Sequence, residues 1–226
     1  MSGRRDEQEA LVHLQRVKAS YQSFIKINYE HRAEDCRVCT TRGVCCTDAH
    51  FVNVHVTRLE AVAIRETLRR TPRLTEAGRR AVYQRAREAV ELYHLRATGD
   101  TFTQTYSCPL FEPLTGCLVH RRAKPAPCIQ HACYESWEDL PPAHLESRVE
   151  HRVEQLNEEV YGAAWAWLPT PLWLCLVDPA SDGAELRRLA REWSARDVKS
   201  ASNPARHAYQ AASSSRHRIR SLPVIG

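Results

Sequence analysis

Hydrophobic residues recur at helical spacing in several segments of the chain and alternate along only a few short ones. Between about residues 6 and 29 they return mostly every three or four positions, which predicts an amphipathic helix. Thr57 and Glu60 have the spacing of a capping box, and they predict a second helix that ends near Arg70. The first part of the chain is therefore expected to be helical.

The remaining elements follow from the same periodicities and from turn residues. Further helices are predicted over about residues 75–98, 141–161 and 184–196, the first of them ending at Gly99. Short strands are predicted over 51–56, 101–106 and 116–120. We therefore expect a mainly α-helical protein with a small β element.

Four regions follow from these elements and from the cysteine positions. We expect an N-terminal helix in residues 1–32, a cysteine-cluster metal-binding domain in 33–134, a C-terminal helical extension packed on it in 135–195, and a mobile basic tail in 196–226. The tail is rich in Ser and Ala and poor in hydrophobic residues, which is typical of disordered segments.

Composition adds little to this picture. The chain has 226 residues, of which 43% are hydrophobic and 26% charged, as in ordinary globular proteins. The longest apolar stretch, residues 165–177, is interrupted by Pro169 and Pro171 and is too short to span a bilayer. The N-terminal residues lack an apolar segment, so no secretory signal is predicted. These features predict a soluble cytoplasmic protein that does not bind membranes.

The positive charge is concentrated in the tail. The formal net charge is +5, and the excess comes from residues after Ala195. Those residues hold one acid, Asp197, and these basic side chains: Arg196, Lys199, Arg206, Arg216, Arg218 and Arg220. Composition alone does not make the protein a nucleic-acid binder, and we do not expect nucleic acid as its main partner.

Eight of the nine cysteines form two groups in loop-forming sequence. In a cytoplasmic protein they are expected to be reduced, which favours metal binding or catalysis over disulfides. The groups have the spacings Cys36-x2-Cys39-x5-Cys45-Cys46 and Cys108-x8-Cys117-x10-Cys128-x4-Cys133. Cys-x2-Cys is a common spacing for two thiolates on one metal. We predict all eight as metal ligands, whereas the ninth, Cys175, lies in an apolar run and is predicted to be a core residue.

The metal stays open between zinc and iron. Neighbouring side chains such as Cys45 and Cys46 diverge in an extended chain, which favours two metal sites or one polynuclear cluster. Eight thiolates are the number needed for two four-cysteine sites, whether zinc or iron–sulfur. A 4Fe–4S cluster and zinc ions are therefore the two cofactor hypotheses. His120 and His131 are further candidates as ligands or as hydrogen-bond donors to sulfur.

The cysteine pattern resembles the zinc- or iron-chelating cysteine-cluster family, also called YkgJ-like. The resemblance covers about residues 33–134 and includes all eight cysteine positions in order. Lys124 and Ile129 stand where the family usually has arginines. Relatives with a similar cluster include flagellin lysine methylases. The resemblance thus implies a bound metal and, less directly, a group-transfer reaction.

Three function hypotheses remain at this point. The first is a cytoplasmic metal-binding protein whose iron–sulfur cluster or zinc is chelated by the eight cysteines. The second is a metal-cluster-dependent enzyme for group transfer, such as protein lysine methylation, or for redox chemistry. The third is a module with structural zinc that binds a protein partner or nucleic acid. The sequence identifies no catalytic residue and contains no dinucleotide, P-loop or serine-hydrolase motif.

Overall fold

Helices dominate the structure, as the periodicity predicts. The computed structural model describes residues 6–35, 38, 41–47, 52–134, 136–162 and 164–195. Their helices are α1 (Glu7–Asn28), α2 (Val44–Thr47), α3 (Arg58–Arg70), α4 (Glu76–Leu92), α5 (Ala126–Gln130), α6 (Ala143–Tyr161), α7 (Thr170–Leu176) and α8 (Ala184–Ala195). Their strands are β1 (Ala33–Glu34), β2 (His55–Val56), β3 (Phe111–Glu112), β4 (Gly116–Cys117), β5 (Cys133–Tyr134) and β6 (Leu168–Pro169).

The strands pair as three separate antiparallel ladders. In these ladders β1 pairs with β5, β2 with β6, and β3 with β4. Only the last pair joins neighbours along the chain, so the other two bring distant segments together. The predicted class, mainly α with a small β element, is confirmed for the described residues.

The predicted helix boundaries are close to the observed ones where the end signals are local. The capping box at the start of α3 is present, with Glu60 N–H donating to Thr57 Oγ1 and Thr57 N–H donating to Glu60 Oε2. The predicted helix over 141–161 is observed as α6 and ends at Gly162, which has a positive φ of 60°.

The prediction that the helix beginning near residue 75 continues to residue 98 is wrong. Its helix, α4, ends at Leu92, and His94 has the left-handed φ of 50°. Leu95 N–H donates to Val90 O and His94 N–H donates to Glu91 O, which is the Schellman pattern of helix termination. Burial of Leu95 stabilises this early end, although the left-handed position is occupied by His94 rather than by a glycine.

The strand predictions are too long. Residues 101–106 form turns and irregular backbone instead of a strand, and β2 contains only two residues. Two short helices, α5 and α7, were not predicted because their prolines favoured loops. Proline is compatible with the first turn of a helix, where its missing N–H has no helical partner anyway.

The core forms where α1 packs against α6 and α4 packs against α7. Trp173 and Trp193 are buried in this core with ring centroids 5.7 Å apart. Trp137 differs, since 72% of it is exposed. No helix among the described residues is both long and apolar enough to cross a membrane. The predicted mobile tail, residues 196–226, lies outside the described residues.

Candidate metal centre

Six of the eight predicted ligands lie in the described part of the chain. They are half-buried and none of them forms a disulfide there: Cys45, Cys46, Cys108, Cys117, Cys128 and Cys133. Cys36 and Cys39 lie outside the described residues. Cys175 packs beside a buried apolar cluster that includes Leu174, as predicted for a core residue.

The first loop turns sharply at Gly43, whose φ is +88°. The amides of Cys46 and Thr47 both donate to the Gly43 carbonyl, at 2.8 and 3.0 Å, and start the single turn of α2. The Phe111 ring of β3 packs against the α-carbon side of Gly43, so closely that a Cβ there would overlap the ring. A residue with a side chain would therefore separate the first cysteine loop from the β3–β4 hairpin.

The vicinal cysteines lie in this helical turn rather than in extended chain. The two thiols are close enough that each shifts the pKa of the other, lowering that of Cys45 and raising that of Cys46. The neighbouring side chains therefore diverge less here than in an extended segment. The pair can therefore face one site together.

The second loop is joined to the first by main-chain hydrogen bonds. Cys108 N–H donates to Cys46 O at 2.8 Å, and Ser107 Oγ donates to Thr47 O at 2.6 Å. Just before them, Tyr106 N–H donates to Val52 O at 2.9 Å. These contacts place Cys108 beside the vicinal pair despite their separation along the chain.

The hairpin supplies backbone donors to two sulfurs. The backbone amides of Leu110 and Phe111 act to lower the pKa of the Cys108 thiol, and the amide of Val119 acts to lower that of Cys117. Amide donors stabilise negative charge on sulfur and tune metal–thiolate centres. Such donors suit thiolates better than inert thiols.

The last two cysteines come from α5 and β5. Cys128 lies in α5, and its thiol interacts electrostatically with those of Cys108 and Cys117. Cys133 is paired with Glu34 across the β1–β5 ladder. This ladder ties the last cysteine to the segment that leads into Cys36 and Cys39.

Burial is the largest influence on the pKa of three of these thiols. It raises the pKa of Cys108 to about 12, and it raises the pKa values of Cys117 and Cys128, with neighbouring thiols adding to the effect. Cys45 is the exception, because the hydrogen bonds from Cys46 and then from His131 lower its pKa. A positive metal favours the deprotonated form of every nearby thiol, so binding would release protons.

The two candidate histidines differ in their surroundings. His131 hydrogen-bonds to the Cys45 sulfur, as expected for a donor beside a metal ligand. Partial burial lowers the pKa of His120, which faces Lys124, Glu30 and Arg121.

A third histidine, His55 of β2, is buried beside this region. It is 5% exposed, and its ring nitrogens lie 2.8 Å from the carbonyl oxygens of Asn53 and Thr101. The ring also stacks on Phe102, with centroids 4.6 Å apart. The loop after α4, which holds Thr101 and Phe102, covers this face of the strand.

Arg85 is a positioning residue that the sequence did not single out. It lies on α4, donates from Nε to Pro109 O at 3.0 Å, and pairs with Glu112 at 2.8 Å. Pro109 directly follows Cys108, and Glu112 is the last residue of β3. No local sequence signal distinguishes Arg85 from the neighbouring arginines, since its partners follow it by 24 residues and more.

The donor set fits thiophilic metals in its chemistry. Thiolate ligands favour zinc or iron–sulfur clusters over hard cations such as Mg²⁺. In the described part of the chain, no three His, Cys, Asp or Glu side chains are arranged to hold a metal ion by themselves. No protein family, curated protein or solved structure matches this chain.

Proposed function

We propose that this protein binds an iron–sulfur cluster or zinc through its eight loop cysteines. The single observation that carries the proposal is the gathering of thiols from three separated segments, around Cys45, Cys108 and Cys128. Their mutual electrostatic interactions mark them as close neighbours. Apolar residues would pack as well as grouped thiols, so packing alone does not explain the grouping. Metal binding, in contrast, requires several thiolates to lie close together.

The backbone around the thiols supports the same function. Backbone amides favour the charged form of Cys108 and Cys117, and His131 favours that of Cys45. Such donors near ligating sulfur are typical of metal–thiolate centres. Membership of the YkgJ-like cysteine-cluster family and the ligand roles of Cys36 and Cys39 are parts of this proposal, based on the cysteine spacing.

Metal and acid-labile sulfide analysis of protein purified without oxygen tests the proposal. Iron with sulfide, together with a broad absorption band near about 400 nm, would identify an iron–sulfur cluster. Zinc at about two ions per chain without colour would identify structural zinc sites. Protein that retains neither metal, and that takes up neither after reconstitution under reducing conditions, would contradict the proposal.

A metal-cluster-dependent enzyme is the second candidate, and one observation favours it. The described cysteines of the centre are half-buried as residues, so solvent reaches part of each of them. Group transfer such as protein lysine methylation, or redox chemistry, would need this access. Change of the cluster's absorption or electron paramagnetic resonance spectrum on adding a substrate would support the enzyme, and an unresponsive zinc site would exclude it.

A further inference from the structure

A small basic pocket lies between α1 and the turn that connects β4 to α5. Its volume is about 30 Å³, enough for about two water molecules. We call it the basic pocket, and its main lining residues are Lys18, Gln22, Arg121, Arg122, Lys124 and Ile129. None of the residues that line it is acidic.

Three cations of the basic pocket have no carboxylate partner in the described part of the chain. No carboxylate there lies within 4.0 Å of Arg121, Arg122 or Lys124. The arginines of α3 differ, since both Arg69 and Arg70 pair with Glu66. The turn therefore presents three cations that have no direct ion-pair partner among the described residues.

The fourth cation is buried. Lys18 is 4% exposed, and its Nζ lies 2.7 Å from Glu60 Oε1 as an ion pair without directed hydrogen-bond geometry. An ammonium has three N–H donors, so Glu60 does not use all of them. Gln22 donates from Nε2 to His120 O at 3.5 Å and holds the turn against α1.

A second cavity of about 110 Å³ adjoins the basic pocket and shares Gln15, Lys18 and Arg122 with it. We call it the apolar annex after its aliphatic wall, which includes Leu11, Val12, Leu14 and Ala63. Gln8, Glu66, Thr67 and Arg70 also line it, and Glu66 is ion-paired with Arg70. The two cavities together offer a charged end and an aliphatic wall.

We propose that the basic pocket and the apolar annex together bind a small organic phosphate. The phosphate would occupy the basic pocket, where the guanidinium groups of Arg121 and Arg122 match its geometry and Lys124 adds a point charge. A phosphate monoester carries about two negative charges at pH 7, against one for a carboxylate, and so fits three unpaired cations better. Its short aliphatic part would occupy the annex. The site uses none of the proposed metal ligands and is independent of the proposed function.

Isothermal titration calorimetry of the full chain tests this site at about 0.15 M salt, where exposed charges are screened. The ligands are butyl phosphate, inorganic phosphate and butyrate. Butyl phosphate is expected to bind most tightly, because only it fills both cavities. Arg122→Gln should weaken its binding about tenfold or more, since a charge-assisted hydrogen bond is lost. Val12→Asn should weaken the binding of butyl phosphate and leave the binding of inorganic phosphate unchanged.

Arg191→Gln is the matched control, because Arg191 is an exposed arginine of α8 outside both cavities. It removes the same charge and should change affinity less than about twofold, as expected for a distant screened charge. Equal losses in Arg191→Gln and Arg122→Gln would overturn the site, as would no heat with any ligand. Butyrate binding as tightly as butyl phosphate would overturn the phosphate assignment. Thermal unfolding of each variant, compared with wild type, separates lost binding from lost folding.

Discussion

Arg85 donates a hydrogen bond from Nε to the carbonyl oxygen of Pro109 at 3.0 Å, and α4 thereby holds the residue that follows Cys108. Its Nη1 pairs with Glu112 at 2.8 Å, at the other end of the same loop. One side chain thus fixes both sides of the loop that presents the Cys108 sulfur to its amide donors. Since Arg85 is about one third exposed, the ion pair itself contributes little to stability.

Arg85→Met is expected to lower stability by about 1–2 kcal/mol, because Pro109 O and Glu112 lose a charged partner. It should also lower metal content, because the Cys108 loop is no longer held. Chemical denaturation and metal analysis measure the two effects. Arg80→Met removes an exposed pair with Glu76 on the same helix and serves as the control. Equal behaviour of the two variants would show that Arg85 does not position the loop.

Gly43→Ala is expected to destabilise the protein by about 3 kcal/mol or more, since it combines a left-handed φ with overlap on the Phe111 ring. Gly99 has a similar φ of +81° but open space around it. Gly99→Ala should therefore cost only about 1–2 kcal/mol. Denaturant titrations compare the two variants. Equal costs would mean that the Phe111 ring moves aside easily and does not tie the first loop to the hairpin.

The cysteine assignment predicts a contrast between loop and core positions. Cys45→Ala and Cys128→Ala should lose metal and unfold at lower temperature, because a missing thiolate opens the centre. Cys175→Ala should keep its metal, since Cys175 packs against apolar residues of the core. Metal content per folded chain, measured after size exclusion, is the readout. The same metal content in all three variants would refute the ligand assignment.

His55 predicts a dependence of stability on pH. Burial is the largest influence on its pKa and lowers it, whereas the two carbonyl contacts and Asp100 act in the opposite direction. The imidazole of His55 in the unfolded chain titrates at about pH 6.5. Below that pH the unfolded chain therefore binds a proton that the folded chain does not bind. The free energy of unfolding should therefore fall as the pH is lowered below this value.

Denaturation curves recorded between about pH 5 and 8 measure this effect. His55 contributes at most one proton to the slope of the unfolding free energy against pH. His55→Leu should flatten the curve, and replacing the exposed His144 by Asn should leave it unchanged. A protein that becomes more stable on acidification would contradict the prediction. That outcome would mean that the two carbonyl oxygens hold the ring as a cation.

The elements with local signals were predictable from the sequence. The capping box of α3, the spacing of α1 and the Gly162 stop of α6 each depend on residues within a few positions of one another. The end of α4 was not predictable in this way. It is set by burial of Leu95 in a tertiary contact, and His94 carries none of the usual signal of a left-handed position.

The cysteine spacing by itself determined the candidate ligands, because two groups of four in polar loops are chemically distinctive. Only the tertiary structure decided which sulfurs interact, and that Arg85 and Gly43 hold the loops. It alone revealed the basic pocket, whose cations come from α1 and a turn about a hundred residues later. Local patterns encode helices and ligand types. The pairing of distant segments depends on packing and burial across the whole chain, and so it appears only in the folded protein.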